Sequence, residues 1–172
     1  MARLTKPPVQ RTRRGFRINL DIEERDLIHR LLGELRTLLT DSAAPESRVG
    51  EPDDRLRRLF PSAYNQPADR ELDIEFRRLM RHELITSRLA GLDLISDSLA
   101  PTDPAAPELT ETQMVAFLQA LNGVRLVLGT MLDVSEEHDI DDVGADDPLV
   151  GEYHLYDFLS WVLDSSVRAV QS

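Results

Sequence analysis

Arg125 is the first residue whose chemistry stands out. It is the only Lys or Arg between Arg88 and Arg168, a span that holds sixteen Asp and Glu residues. Its setting is "LQALNGVRLVLGTML" (118–132), an otherwise apolar run. On a helix, at roughly 100° per residue, Asn122, Arg125, Gly129 and Asp133 fall within about 80° of one another, with Val115, Leu118 and Leu126 among them. A polar stripe hemmed in this way is expected to be half-buried. The positions three and four away from Arg125 hold Leu121, Asn122, Leu128 and Gly129, so no acid lies within helical reach. A counter-ion has to come from another segment, with Asp93, Asp97, Asp157 and Asp164 as candidates. The guanidinium fork suits a bidentate carboxylate, and Gly129 would let a neighbouring backbone approach. The stripe Asn122, Arg125 and Gly129 is therefore read first as a structural ion pair between helices, and second as a surface for an anionic ligand or a partner's carboxylate. No nucleophile or general base is evident beside it, so no catalytic residue is assigned and an enzyme is not expected.

Other clusters that could do chemistry weaken when their spacing is checked. "DVSEEHDIDDVGADD" (133–147) matches a calcium loop at Asp139, Asp141, Gly144 and Asp147, but Val143 and Val150 stand at two ligand positions, the second being where a bidentate Glu belongs. A looser divalent site could use His138, Asp139 and Asp142, although a solvated acidic loop is the ordinary reading. "HELIT" (82–86) begins like a zinc metalloprotease motif, yet Thr86 replaces the second His. The chain has no cysteine, which removes thiol catalysis, disulfides and thiolate metal sites. There is no phosphate-binding glycine loop or serine elbow. Neither a cofactor nor a metal is assigned.

Charge is divided unevenly along the chain. Residues 1–20 carry Arg3, Lys6, Arg11, Arg13, Arg14 and Arg17 and no acid, while the rest carries the other 14 basic residues and all 31 acids, giving +6 against −17 and the total of −11. A basic arm on an acidic body can meet nucleic acid, a membrane surface, an acidic partner or its own domain. Arg11, Arg13 and Arg14 are the candidate phosphate contacts, with Phe16 the only aromatic nearby; the body itself would repel DNA.

The elements that must position these residues are mostly helical. Residues 1–15, with Pro7, Pro8 and Gly15, read as a flexible arm. "GFRINL" (15–20) alternates like a short extended stretch, but no second strand offers it a partner. Asp21 and Glu24 form a capping box before the stripe Ile28, Leu31, Leu32, Leu35, Leu38 and Leu39. "DDRLRRLFP" (53–61) should drop Leu56, Leu59 and Phe60 onto the core before Pro61 ends it. A stretch from about residue 68 to 99 changes phase between 80 and 85, which predicts a break or kink. "APTDPAAPE" (100–108) reads as a linker. Thr110 and Gln113 cap a central helix over 111–133, with Leu109 and Met114 spaced as a hydrophobic staple. Pro148 opens a final helix. With 172 residues, 41% of them hydrophobic, the chain fits one domain. The prediction is an all-α, single-domain bundle of about four main helices over residues 16–172, plus a short N-terminal extended stretch. No apolar run suggests a membrane span, no leader peptide is evident, and the cytoplasm is the expected location.

Three motifs point to a family. "LNGVRLVLG" (121–129), "YDFLSWVLDSSV" (156–167) and the placement of "LFPSAY" (59–64) before "EFRRL" (75–79) resemble an actinobacterial family catalogued only as a domain of unknown function. The resemblance covers the chain from about Gly15 onward and transfers no catalytic role. Genes of that family often stand beside the gene for the Clp protease adaptor, which implies at most a link to protein turnover. The expected function is thus a non-enzymatic interaction or regulatory protein, with a protein partner and scope for a homo-oligomer. The alternative is a DNA-associated regulator that uses residues 1–15.

Overall fold

The computed structural model describes residues 6–43, 53–60, 70–134, 144 and 146–172. In chain order it contains β1 (Val9–Arg11), β2 (Phe16–Ile18), α1 (Ile22–Ala43), a 3-10 helix (Asp54–Leu59), α2 (Arg70–Leu99), β3 (Glu108–Leu109), α3 (Glu111–Met131) and α4 (Val150–Gln171). The expectation of an all-α fold is corrected here. The molecule is mostly helical, with a three-stranded antiparallel sheet in the order β1-β2-β3.

The sheet also takes up part of the stretch expected to be a flexible arm over residues 1–15, since Val9–Arg11 form β1. Val9 pairs with Ile18 and Arg11 with Phe16, while Phe16 pairs with Leu109 on the other edge. Val9, Phe16, Ile18 and Leu109 are all buried, so the alternation seen in the sequence is a real core-facing strand with two partners. Gly15 permits the hairpin turn. Its φ is 150°, and an added Cβ would lie 2.1 Å from the Leu109 carbonyl oxygen, so only glycine lets β3 come this close. Thr12 Oγ1 donates to Glu108 Oε1 at 2.6 Å across the sheet. The hairpin is fixed to the last helix, because Ser165 Oγ accepts from the Val9 N–H at 3.3 Å and donates to the Val9 carbonyl at 3.4 Å.

Both capping boxes are present. Asp21 Oδ1 accepts from the Glu24 N–H at 2.8 Å while Glu24 Oε2 accepts from the Asp21 N–H at 2.9 Å. Thr110 and Gln113 make the same reciprocal pair at the start of α3. Each satisfies donors that the first turn of a helix leaves open. Leu109 and Met114, spaced as a staple, are both buried.

The 3-10 helix is capped by Asp53, whose Oδ1 accepts from the Arg55 N–H at 3.0 Å. Leu56 and Leu59 are buried and Phe60 packs against the core; the expected stop at Pro61 lies outside the described residues.

The predicted break in α2 does not occur, and the helix runs unbroken from Arg70 to Leu99, roughly 45 Å at the usual rise. The change of phase is between faces. Leu72 and Phe76 are exposed, whereas Ile85, Leu92, Ile95 and Leu99 form the buried stripe. With no Pro or Gly between 80 and 85, nothing interrupts the backbone ladder.

α3 lies at the centre and packs against α1, α2, α4 and the 3-10 helix. It is long and apolar enough to cross a membrane on composition alone. Here its Met114, Phe117, Leu121, Val124 and Leu128 are instead buried by the surrounding elements.

Candidate interaction surface on the central helix

α3 has one side that its neighbours leave open. Ala116 lies 3.8 Å from where a Gly91 Cβ would be, and a Gly123 Cβ would lie 3.8 Å from the Arg88 guanidinium, so α2 covers one flank. Arg125 and Gly129 meet α4 on the other flank. Between them runs a strip of Val115, Leu118, Asn122 and Leu126. Val115 is 52% exposed and the other three are half-buried. Asn122 makes no hydrogen bond among the described residues. Of the polar stripe read from the sequence, Asn122 and Arg125 are half-buried, with Arg125 at the edge of the strip against α4.

The counter-ion expected for Arg125 is not found among the described residues. Arg125 Nε donates to Ser160 Oγ at 2.8 Å, and its guanidinium carbon sits 4.9 Å from the centre of the Tyr156 ring. Ser160 Oγ in turn donates to the Tyr156 carbonyl at 2.8 Å. No carboxylate within 4 Å of Arg125 occurs among the described residues. The four proposed partners are placed elsewhere: Asp93 pairs with Arg36 at 2.6 Å, Asp164 pairs with Arg168 at 2.6 Å, and Asp97 and Asp157 are exposed. Among the described residues a hydroxyl and an aromatic face, not a carboxylate, orient the fork, and they do so without neutralising it.

Gly129 has a different neighbour from the one expected. A Cβ there would lie 3.1 Å from Tyr156 Cε2 and 3.2 Å from Arg58 Nη1, so side chains, not backbone, occupy the space. Arg58 continues past it to donate to the Val134 carbonyl at 3.0 Å. Gly129 is buried and therefore seats Tyr156 under Arg125 without facing the open strip. Tyr156 and Ser160 were not singled out as site residues, although their four-residue spacing puts both on one helical face.

The basic residues of the N-terminus separate into two groups. Arg11 is used internally, pairing with Glu111 Oε1 at 2.7 Å and stacking 4.9 Å from the Phe16 ring centre. Arg13 and Arg14 are exposed in the hairpin turn, with no ion pair among the described residues.

Trp161 is 51% exposed on α4, tilted against Phe158 with ring centres 6.2 Å apart, so its indole needs no buried acceptor. His82 is exposed, and its carbonyl accepts from Thr86 Oγ1 at 2.8 Å. Among the described residues no group of three His, Asp or Glu side chains could hold a metal. His138, Asp139 and Asp142, with most of the acidic loop, lie outside the described residues.

A family model described as a domain of unknown function, DUF2017, matches residues 6–170. The chain belongs to this family. Curated relatives include the oxidative stress regulators AosR of Mycobacterium bovis and Mycobacterium tuberculosis. Each is 28% identical over 171 residues, which covers 84% of this chain and 77% of the relative. A Mycobacterium leprae protein named for the same role is 27% identical over 153 residues, covering 82% of this chain and 68% of its own length. No solved structure matches the chain significantly.

Proposed function

We propose that this DUF2017 chain is a non-enzymatic regulator that binds a protein partner along the open strip of α3 beside α4. Arg125 carries the reading. Its guanidinium is held at the edge of the strip by Tyr156 and Ser160, with its charge left uncompensated by any described carboxylate. A cation oriented in advance but unpaired is suited to receive a carboxylate from outside. The regulator names of the mycobacterial relatives support a regulatory role. This chain has no cysteine, so thiol oxidation within it cannot be the signal. In a response to oxidants, the sensing chemistry would be methionine oxidation in this chain, which has four methionines, or would belong to the partner or to an upstream protein. The link to protein turnover implied by the family resemblance makes the Clp adaptor the first protein to test in a binary assay.

The test places a photo-crosslinking residue at position 122, on the strip, and separately at exposed position 37 on α1. Adducts specific to position 122 that disappear with Arg125→Glu are expected. The same adducts from both positions, or no effect of Arg125→Glu, would refute the surface.

A second reading, DNA association, is favoured by the exposed Arg13 and Arg14 at the hairpin tip. It predicts salt-sensitive binding in a mobility-shift assay that is abolished by Arg13→Ala together with Arg14→Ala. No binding at about 50 mM salt would end it.

A further inference from the structure

We infer that the last turn of α3 is a conformational device that sets the presentation of Arg125, and that Arg58 of the 3-10 helix is the positioning residue that transmits its state. This rests on the reading of Arg125 as the receptor of a partner's carboxylate and gives that site a means of regulation.

α3 closes in a strained way. The Val134 N–H donates to the Gly129 carbonyl at 3.0 Å and the Asp133 N–H to the Thr130 carbonyl at 3.3 Å. This pair of bonds ends a helix when the residue after the cap turns left-handed. Glycine usually stands there, because a side chain crowds the backbone in that conformation. Here the residue is Asp133, with φ 50°, the one non-glycine residue at positive φ among those described. Its carboxylate also stands at the negative end of the helix dipole, and the last turn of α3 holds no basic residue. Arg57 of the 3-10 helix faces it at 3.9 Å, with both side chains more than half exposed, which compensates little. An aspartate where glycine would cost less leaves the closed turn less stable than the fold allows. A turn held nearer to balance in this way can open locally while the rest of the chain stays folded.

A continuous chain of contacts leads from this turn to Arg125. With Asp133 left-handed, Val134 folds back and its carbonyl accepts from Arg58 Nη2 at 3.0 Å. The other terminal nitrogen of that guanidinium lies 3.2 Å from where a Gly129 Cβ would be, and Tyr156 Cε2 lies 3.1 Å from the same point. Gly129 therefore serves twice: its carbonyl closes the turn, and its missing side chain leaves the space that Arg58 and Tyr156 share. The Tyr156 ring carries the Arg125 guanidinium at 4.9 Å, and the Tyr156 carbonyl accepts from the Ser160 hydroxyl that holds Arg125 Nε. When Val134 swings out, Arg58 loses its acceptor, Tyr156 loses the group beside it, and the ring no longer fixes Arg125. Opening of the turn thus withdraws the oriented cation, and a carboxylate bound at Arg125 favours the closed turn in return.

The experiment measures solvent exchange by nitrogen-15 NMR on the full chain, at the Val134 amide for the turn and at the Arg125 Nε–H for the site. The Asp133 side chain is 92% exposed, so changing it removes no packing. Asp133→Gly relieves the strain and should slow exchange at both reporters by about fivefold or more. Asp133→Val, with a branched side chain that the left-handed region excludes, should speed exchange at both. In Arg58→Met the Val134 amide should still respond to the Asp133 substitutions while Arg125 stops responding. Arg58→Lys keeps a donor for the Val134 carbonyl but has no second nitrogen at Gly129. It should break the coupling in the same way, and it serves if the methionine variant does not fold. No partner enters the measurement, so it can fail while the crosslinking at position 122 succeeds, and the reverse. An Arg125 Nε–H that ignores both Asp133 variants overturns the proposal. So does a Val134 amide unmoved by them, or an Arg125 response that survives the loss of Arg58.

Discussion

Arg125 can be worked out from its immediate neighbours. Its hydrogen bond to Ser160 is worth about 0.5–1.5 kcal/mol net, and a cation over an aromatic ring at a partly exposed site adds about 0.5–1 kcal/mol. Among the described residues its replacement leaves no buried acid uncompensated, so the cost of about 3–5 kcal/mol for breaking a buried ion pair is not expected. Arg125→Met should therefore lower stability by about 1–2 kcal/mol in a denaturant titration; a loss above 3 kcal/mol would require a hidden carboxylate. The sequence made Arg125 visible through its isolation among acids, and it placed Asn122 and Gly129 on the same helical side. It could not supply the partner. Four acids at suitable positions made an ion pair the economical guess, but three-dimensional placement sent Asp93 to Arg36 and gave Arg125 a serine.

Among the elements, those whose signals are local were legible and those whose partners are distant were not. Asp21 with Glu24 and Thr110 with Gln113 announce their helices from within four residues, and the structure shows both boxes. β3 is two residues long inside a proline-rich stretch and pairs with a strand about ninety positions earlier in the chain. No periodicity can be read from two residues, so Phe16 and Ile18 looked like an unpartnered strand. The unbroken α2 has the same cause, because which apolar stripe faces inward is decided by α1 and α3, not by the helix itself.

The 3-10 helix lends itself to a pH experiment. Hydrogen bonding from the Arg55 side chain is the main reason that the Asp53 carboxyl is held below its ordinary value of 3.8, through contacts of 3.0 and 2.6 Å. A lowered carboxyl stabilises the fold in its ionised form. That contribution is complete above the ordinary value and is lost as pH falls through the lowered one. Asp53→Asn should melt below the parent by a constant margin from about pH 7 to 5, and the margin should close as Asp53 of the parent protonates. A margin that persists undiminished in acid would assign the effect to shape alone.

Taken whole, the molecule joins its early and late segments, because the first strand is clasped by the last helix at Val9 and Ser165. Deleting residues 1–15 should thus lower the melting temperature of the entire chain, as read by calorimetry, by uncovering Phe16 and the α4 face that β1 packs against. An unchanged melt would show the hairpin to be an appendage. Any assay that removes this segment to probe nucleic-acid binding would confuse lost charge with lost structure, which is why Arg13 and Arg14 should be changed singly or as a pair instead.

The same clasp also bears on how the chain is made. The contact between Val9 and Ser165 spans 156 positions, and at typical ribosomal speeds of about 5–20 residues per second the strand waits roughly 8–30 s for its helix to be synthesised. Until then the β1 edge and the apolar underside of the hairpin have no cover from α4. Long-range closure of this kind slows folding, so the final docking of α4 is the step at which a newly made molecule is most open to a chaperone or a protease.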